Sequence, residues 1–224
     1  MRNKNMTKIS ENTTKVHHIR HLTPSTYVLR FDRDQRPFTA GQHVILGIHG
    51  QKSAREYSIY SSENDDFFEV LVKAVKPGDV SQKLKELHHG DLLSVEGPMG
   101  FFTIEPEIVT QGKVVMIATG TGIAPYHSYV RSYPQLDYKM LHGVRYASEA
   151  YDRADYDPSR YVLCTSGENA GNLHGRVTDY LLENEIDTTA DYYLCGNVKM
   201  IHEAFDILKE KGVNHAKTDA EVYF

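Results

Sequence analysis

Up to residue 104 the apolar positions fall in short alternating or β-branched runs: YVLRF, HVILGI, YSIYS, FFEVLVKAV and DLLSVEG. Gly, Pro, Asn and Asp separate these runs, which is the grammar of antiparallel strands. Residues 80–87 (VSQKLKEL) depart from it, with apolar positions at helical spacing and a stop near His88-His89-Gly90, so a single helix is predicted within a β-barrel. From Lys113 the period changes. Short apolar strands (KVVMIAT, YKMLHGV, RYVLCTS, DYYLC) alternate with helical stretches (IAPYHSYVRS, VTDYLLEN, VKMIHEAFDILKEK), the pattern of a parallel α/β sheet. The pattern predicts two domains, a β-barrel over residues 1–104 and an α/β domain over 105–224, with the boundary at Glu105-Pro106-Glu107. The first dozen residues are expected to fray.

Charge sharpens this division. There are 14 basic against 12 acidic residues up to residue 104 and 11 against 18 beyond it, within a net charge of −5. No basic stripe suits a nucleic acid, while the first half could meet an acidic protein. No apolar run approaches the roughly 18 residues of a membrane span, and the polar N-terminus shows no signal segment, so a cytoplasmic protein is expected. Two cysteines, Cys164 and Cys195, are too few and too far apart for a disulfide framework or a metal site, so no iron–sulfur cluster is expected. No metal is expected, and a redox centre would have to be an organic cofactor.

Five segments carry candidate chemistry. On the strand of Arg55-Glu56-Tyr57-Ser58, the tyrosine could offer its ring to a planar cofactor, the serine a hydroxyl and the arginine a fork for phosphate. Pro77-Gly78-Asp79-Val80-Ser81 opens the lone helix, where free N–H groups favour an anion, although an ordinary helix cap would read the same way. Ala118-Thr119-Gly120-Thr121-Gly122-Ile123-Ala124-Pro125 joins a strand to a helix through glycines that allow close approach to a pyrophosphate. Cys195-Gly196-Asn197, followed by Met200, ends another strand, so Cys195 and Thr121 could share the crevice beyond the strand ends. The chain closes on Glu221-Val222-Tyr223-Phe224, an aromatic terminus suited to docking on something flat.

In order and spacing, REYS, PGDVS, ATGTGIAP, GVRYA, CGN and the terminal EVYF resemble the ferredoxin–NADP(H) reductase family, particularly its bacterial branch, from about Lys15 to Phe224. Phe38-Thr39-Ala40-Gly41-Gln42 and Gly100-Phe101-Phe102 agree as well. The resemblance implies an FAD-binding antiparallel β-barrel domain followed by an NAD(P)-binding α/β parallel-sheet domain, whose aromatic tail returns to the flavin. It implies that Arg55 holds the FAD pyrophosphate, Tyr57 packs on the isoalloxazine beside Glu56, and Ser58 lies near flavin N5. Leu71, Val72, Lys73, Ala74, Asp79, Val80 and Ser81 would line the ribityl and phosphate groups. Tyr223 would cover the other flavin face as a gate, with Phe224 extending the platform. Ser58, Cys195 and Glu221 would surround the point of hydride transfer, none of them forming a covalent intermediate. Thr121, Val144, Arg145, Ser166, Arg176, Gly196, Asn197 and Met200 would contact the nicotinamide dinucleotide.

One departure bears on NADPH against NADH. Where the family has Ser-Arg, this chain has Ser166-Gly167; Arg145 and Arg176 remain, so NADPH is favoured. The resemblance thus implies a ferredoxin or flavodoxin–NADP(+) reductase that meets a small redox carrier. The alternatives are an NADH-preferring flavin reductase or oxygenase reductase component, and a flavin- or nucleotide-binding regulator without turnover.

Overall fold

The computed structural model describes residues 12–76 and 79–223. Six strands form an antiparallel sheet: β1 (Thr13–His21), β2 (Thr26–Asp32), β3 (His43–Ile48), β4 (Ala54–Ser58), β5 (Phe67–Lys73) and β6 (Leu92–Met99), in the order β4-β3-β6-β1-β2-β5. Just past β4, Ile59 bridges Val70 of β5, and the Tyr60 N–H donates to the Glu69 carbonyl at 2.7 Å. These bonds join the two sheet edges, so the sheet curls into a barrel and its edge groups are satisfied. Alternate residues, among them Leu29, Phe31, Val44, Leu46, Ile59, Phe68, Val70 and Val95, fill its interior. Helix α1 (Asp79–Lys85) plugs it with Val80 and Leu84.

The second half is a six-stranded parallel sheet. Its strands β7 (Lys113–Thr119), β8 (Asp137–Val144), β9 (Tyr161–Thr165), β10 (Leu173–His174), β11 (Asp191–Asn197) and β12 (Thr218–Tyr223) take the order β10-β9-β8-β7-β11-β12. Helices α3 (Ala124–Ser132), α4 (Val177–Glu183) and α5 (Val198–Glu210) cover it. None of the helices is long and apolar enough to cross a membrane, among the described residues. The chain therefore has the expected architecture, an antiparallel barrel followed by a parallel α/β sheet.

Several elements differ from the sequence expectation, the short β10 among them. β1 escaped the apolar pattern because KVHHIRH is mostly polar, yet it pairs with both β2 and β6. The segment read as a bare boundary begins α2 (Pro106–Gln111), with proline in the first helical turn where its missing N–H costs nothing. The aromatic tail is itself a strand, paired in parallel with β11 from Tyr192↔Thr218 to Asn197↔Tyr223.

The halves share an apolar interior. Val28, Tyr60, Leu71 and Phe102 from the barrel side pack in one cluster with Tyr126, Tyr129, Tyr193 and Cys195.

Candidate active site at the junction of the two sheets

Period-2 geometry puts Glu221 and Tyr223 on one face of β12, and register sets Glu221 beside Cys195 of β11. Across the junction stands Ser58, at the end of β4. Its hydroxyl donates to Glu221 Oε1 at 2.6 Å and accepts from the Tyr223 hydroxyl at 2.6 Å. Cys195 hydrogen-bonds the same tyrosine. The four residues expected around the point of reaction thus meet in one hydrogen-bonded set drawn from both sheets.

Burial governs their protonation. It pushes the Cys195 thiol well above its ordinary value, and the nearby Glu221 charge adds to this, so the sulfur is a neutral packing group and no nucleophile. Burial also raises the Glu221 carboxyl; the Ser58 hydrogen bond and the charge of His43 oppose this, while Glu56 reinforces it. His43 was not foreseen. It lies directly opposite Ser58 in the β3–β4 ladder, so the two side chains share a face a few ångströms apart. Its signal was available once Gly41-Gln42-His43 was seen to open the strand facing REYS.

On the barrel face Tyr57 is half-buried, and burial pushes its phenol up to about 12. Arg55 is exposed, and its guanidinium donates to its neighbour's carbonyl, Ala54 O, at 2.8 Å. Ser81 accepts from the Val75 N–H at 3.3 Å and keeps its own proton to donate. A half-buried ring, a buried hydroxyl and an outward guanidinium fit a flavin dinucleotide. Leu71 and Val72 point into the two cores on either side of β5, and Val80 into the barrel, so what these three can offer a ligand is backbone. Lys73 is exposed, 3.6 Å from Glu149. Asp79 opens α1; Pro77, Gly78 and Phe224 lie outside the described residues.

Two turns meet beyond the carboxyl ends of β7 and β11. Gly122 and Gly196 stand so close to Cys195 and Thr119 that neither could carry a β-carbon, and Gly196 has φ +125°. Thr119 Oγ1 accepts from the Asn197 N–H at 2.9 Å, and Asn197 caps α5 by accepting from the Lys199 N–H at 3.0 Å. Beneath the Thr121 turn, His142 is pushed down to about 4, first by burial. It is therefore neutral, with Nδ1 accepting from the Tyr161 hydroxyl at 2.6 Å and Nε2–H donating to the Gly120 carbonyl at 2.9 Å, which fixes that carbonyl. His142 was not foreseen, nor was the tie from Thr119 to the Asn197 turn. Both reveal themselves only through partners distant in sequence.

The expected 2′-phosphate contacts lie on neighbouring turns. Ser166 donates its N–H to Val144 O at 3.1 Å, and Gly167 to Arg145 O at 2.8 Å; Gly175, just before Arg176, donates to Thr165 O at 2.9 Å. Arg145, Ser166 and Arg176 are all exposed, whereas Val144 and Met200 are buried in core clusters and support these turns from below. A β-carbon at Gly167 would fall 2.7 Å from the Arg145 carbonyl oxygen. The turn is built for glycine.

Family comparison agrees with this geometry. The profile of the oxidoreductase FAD-binding domain matches residues 11–104, and that of the oxidoreductase NAD-binding domain residues 116–205. NADH-cytochrome b5 reductase 1 of Meyerozyma guilliermondii is 31% identical over 205 residues, covering 80% of this chain and 72% of that protein. The flavodoxin/ferredoxin–NADP reductase of Escherichia coli is 29% identical over 215 residues, 85% of this chain and 87% of that one. The ferredoxin NADP+ reductase of Neisseria gonorrhoeae with bound FAD and NADP superposes with a TM-score of 0.83 at 26% identity, over 95% of this chain and 98% of the other. With its barrel matching the FAD-binding domain, its parallel sheet the NAD-binding domain, and Ser58, Cys195, Glu221 and Tyr223 meeting where the two join, the chain belongs to the ferredoxin–NADP(H) reductase family of FAD-dependent oxidoreductases.

Proposed function

We propose that this protein is a ferredoxin or flavodoxin–NADP(+) reductase. The observation that carries the reading is the Ser58–Glu221–Tyr223 set, which brings groups 163 and 165 residues apart within 2.6 Å at the junction of the two domains. FAD, when bound, accepts hydride from the nicotinamide and gives up electrons singly; the protein contributes position, exclusion of water and proton handling.

Arg55 and the start of α1, from Asp79 to Ser81, hold the FAD phosphates, and Tyr57 packs on the flavin. Ser58 donates toward the reacting edge of the ring, and Glu221 holds or releases the proton that two one-electron steps must dispose of. The neutral Cys195 packs the nicotinamide. Tyr223 occupies the place the nicotinamide must take, so it leaves at each turnover and returns afterwards. Thr121, Gly196 and Asn197 receive the dinucleotide on the two glycine turns. Arg145, Ser166 and Arg176 receive the adenosine end, and two exposed guanidiniums there favour the 2′-phosphate of NADPH.

The glycine-only turn at Gly167 favours a second reading, an NADH-preferring flavin reductase or oxygenase reductase component, because one cation is missing from the phosphate-binding turn. Stopped-flow mixing of the FAD-loaded protein with NADPH or NADH, followed by a ferredoxin, a flavodoxin and an artificial one-electron acceptor, tests both. Faster flavin bleaching with NADPH and electron delivery to either carrier support the first reading; an NADH preference supports the second. Absence of turnover with every acceptor overturns both and leaves a binding protein.

A further inference from the structure

His127 is buried in α3, one helical turn after the glycine turn assigned to the nucleotide. Its two ring nitrogens face groups of the same kind. Nδ1 lies 2.7 Å from the carbonyl oxygen of Tyr60, and Nε2 lies 2.8 Å from Oδ2 of Asp155. Neither the carbonyl nor a carboxylate can donate, and a neutral imidazole carries one N–H, so a neutral ring would point a lone pair at one of these oxygens. Asp155 answers as a carboxylate opposite a cation would: the His127 hydrogen bond, ahead of the opposing effect of burial, holds it below the usual range.

The surroundings are arranged for a positive ring. The Tyr60 side chain stacks on His127 at 3.7 Å between centroids and 11° between planes, a cation–π geometry. Its hydroxyl donates to Asp152 Oδ2 at 3.0 Å, and Asp152 takes a bidentate pair from Arg20 at 2.7 and 2.8 Å. Burial raises the Asp152 carboxyl, but the hydrogen bonds and charge of Arg20 outweigh it and leave the net shift downward. The charged groups around the ring are thus Asp152, Asp155 and Arg20, with Arg131 beyond Asp155 and the neutral Tyr156 ring at 6.1 Å. With a charged His127, two cations face two carboxylates. The carboxylates are already engaged, Asp152 by Arg20 and Asp155 by His127, so the four groups form an ion-pair network.

This network crosses the domain junction. Arg20 and Tyr60 belong to the barrel side, while His127, Asp152 and Asp155 belong to the α/β side; Ser128, the next residue on α3, donates to Ser61 O at 2.7 Å. We propose that His127 works as an imidazolium and is a positioning residue for hydride transfer. The charge-assisted hydrogen bond to the Tyr60 carbonyl ties α3, and with it the nucleotide turn, to the flavin barrel, and the one to Asp155 anchors the ring within the α/β side. The tie is complete where His127 is protonated and both aspartates are ionised. It weakens on the acid side as the lowered Asp155 and Asp152 take up protons, and it is lost with the second His127 proton.

The catalytic half of this proposal rests on the reductase reading; the protonation state does not. Nitrogen-15 NMR of the FAD-loaded protein at about pH 7.5 is expected to show both His127 nitrogens protonated. A lone pair on either overturns the proposal, whatever the protein catalyses. His127→Gln, which keeps a donor without the charge, is expected to slow flavin reduction at saturating dinucleotide about tenfold with KM unchanged within about twofold, and to abolish the alkaline limb of its pH profile. His127→Arg is expected to recover rate and to be insensitive to pH over the same range. A purely structural role would lower melting temperature in the glutamine variant while leaving the alkaline limb in place, and that result also overturns the proposal. Failure of flavin reduction in the wild type with either dinucleotide would count against the reductase reading, with the NMR result still deciding the charge on His127.

Discussion

The Tyr223 hydroxyl donates a 2.6 Å hydrogen bond to Ser58 Oγ across the junction of the two sheets. On the proposed reading this ring covers the face that a nicotinamide would have to enter. Productive binding then has to displace the ring and break that bond. Tyr223→Ser with Phe224 deleted is expected to bind NADP⁺ about three- to tenfold more tightly, the equivalent of one aromatic contact. It is also expected to show a stronger charge-transfer band, slower turnover with NADPH and better use of NADH. Titration of NADP⁺ binding alongside thermal melting checks this. Weaker nucleotide binding together with a lowered melting temperature would mean that the ring is only a packing element.

Glu221 should reveal its raised pKa in stability. A carboxyl whose folded value lies above its unfolded one costs the folded state stability when ionised, and the cost disappears as pH falls through the folded value. Glu221→Gln is therefore expected to melt higher than wild type at about pH 7.5, with the difference shrinking as the pH is lowered. Turnover should fall about tenfold or more, because a positioned proton acceptor is lost. His43→Phe removes an electrostatic interaction that lowers the Glu221 pKa, so carbon-13 NMR should find that carboxyl titrating higher still.

Arg55 is exposed and its guanidinium donates to the adjacent Ala54 carbonyl, so its removal should spare the fold. Arg55→Ala is expected to weaken FAD binding by roughly 1.5–3 kcal/mol, the value of a hydrogen bond to a charged group. Flavin released on dialysis and the unchanged melting of the apoprotein measure it. Unaltered FAD affinity would remove Arg55 from the phosphate site.

Nucleotide choice turns on two neighbouring residues that behave differently. Arg176 caps α4 with its backbone N–H, which donates to Asp179 Oδ2 at 2.7 Å, so Arg176→Ala keeps the cap and loses only the guanidinium. The Michaelis constant should rise for NADPH and hardly for NADH; equal effects on both would make Arg176 structural. Gly167→Arg, although it restores the residue usual in the family, would push its β-carbon to 2.7 Å from the Arg145 carbonyl. It is therefore expected to lower melting temperature and to leave NADPH preference short of the family's.

Much of the site was legible along the chain because its motifs mark backbone needs that are local. The glycines of 118–125 announce a turn with no room for side chains, and the alternation around Arg55-Glu56-Tyr57-Ser58 announces a strand with Ser58 on its inner face. Composition pointed away from an internal iron–sulfur cluster, since two cysteines 31 residues apart fall short of the usual four-thiolate set. The switch of hydrophobic period near residue 105 separated the barrel from the parallel sheet, because periodicity is set within each segment.

What only the tertiary structure decided depends on partners remote in sequence. β1 reads as polar, and its place between β2 and β6 follows from barrel closure. The last strand had to pair in parallel with β11 before Glu221 and Tyr223 could meet Ser58. His43 acquires meaning from the β3–β4 register, and the Gly167 turn from the carbonyl of Arg145. His127 looks from sequence like one more polar residue on a helix. Its charge is dictated by the Tyr60 carbonyl, 67 residues earlier, and the Asp155 carboxylate, 28 later, because burial between two acceptors leaves the ring no other way to satisfy both.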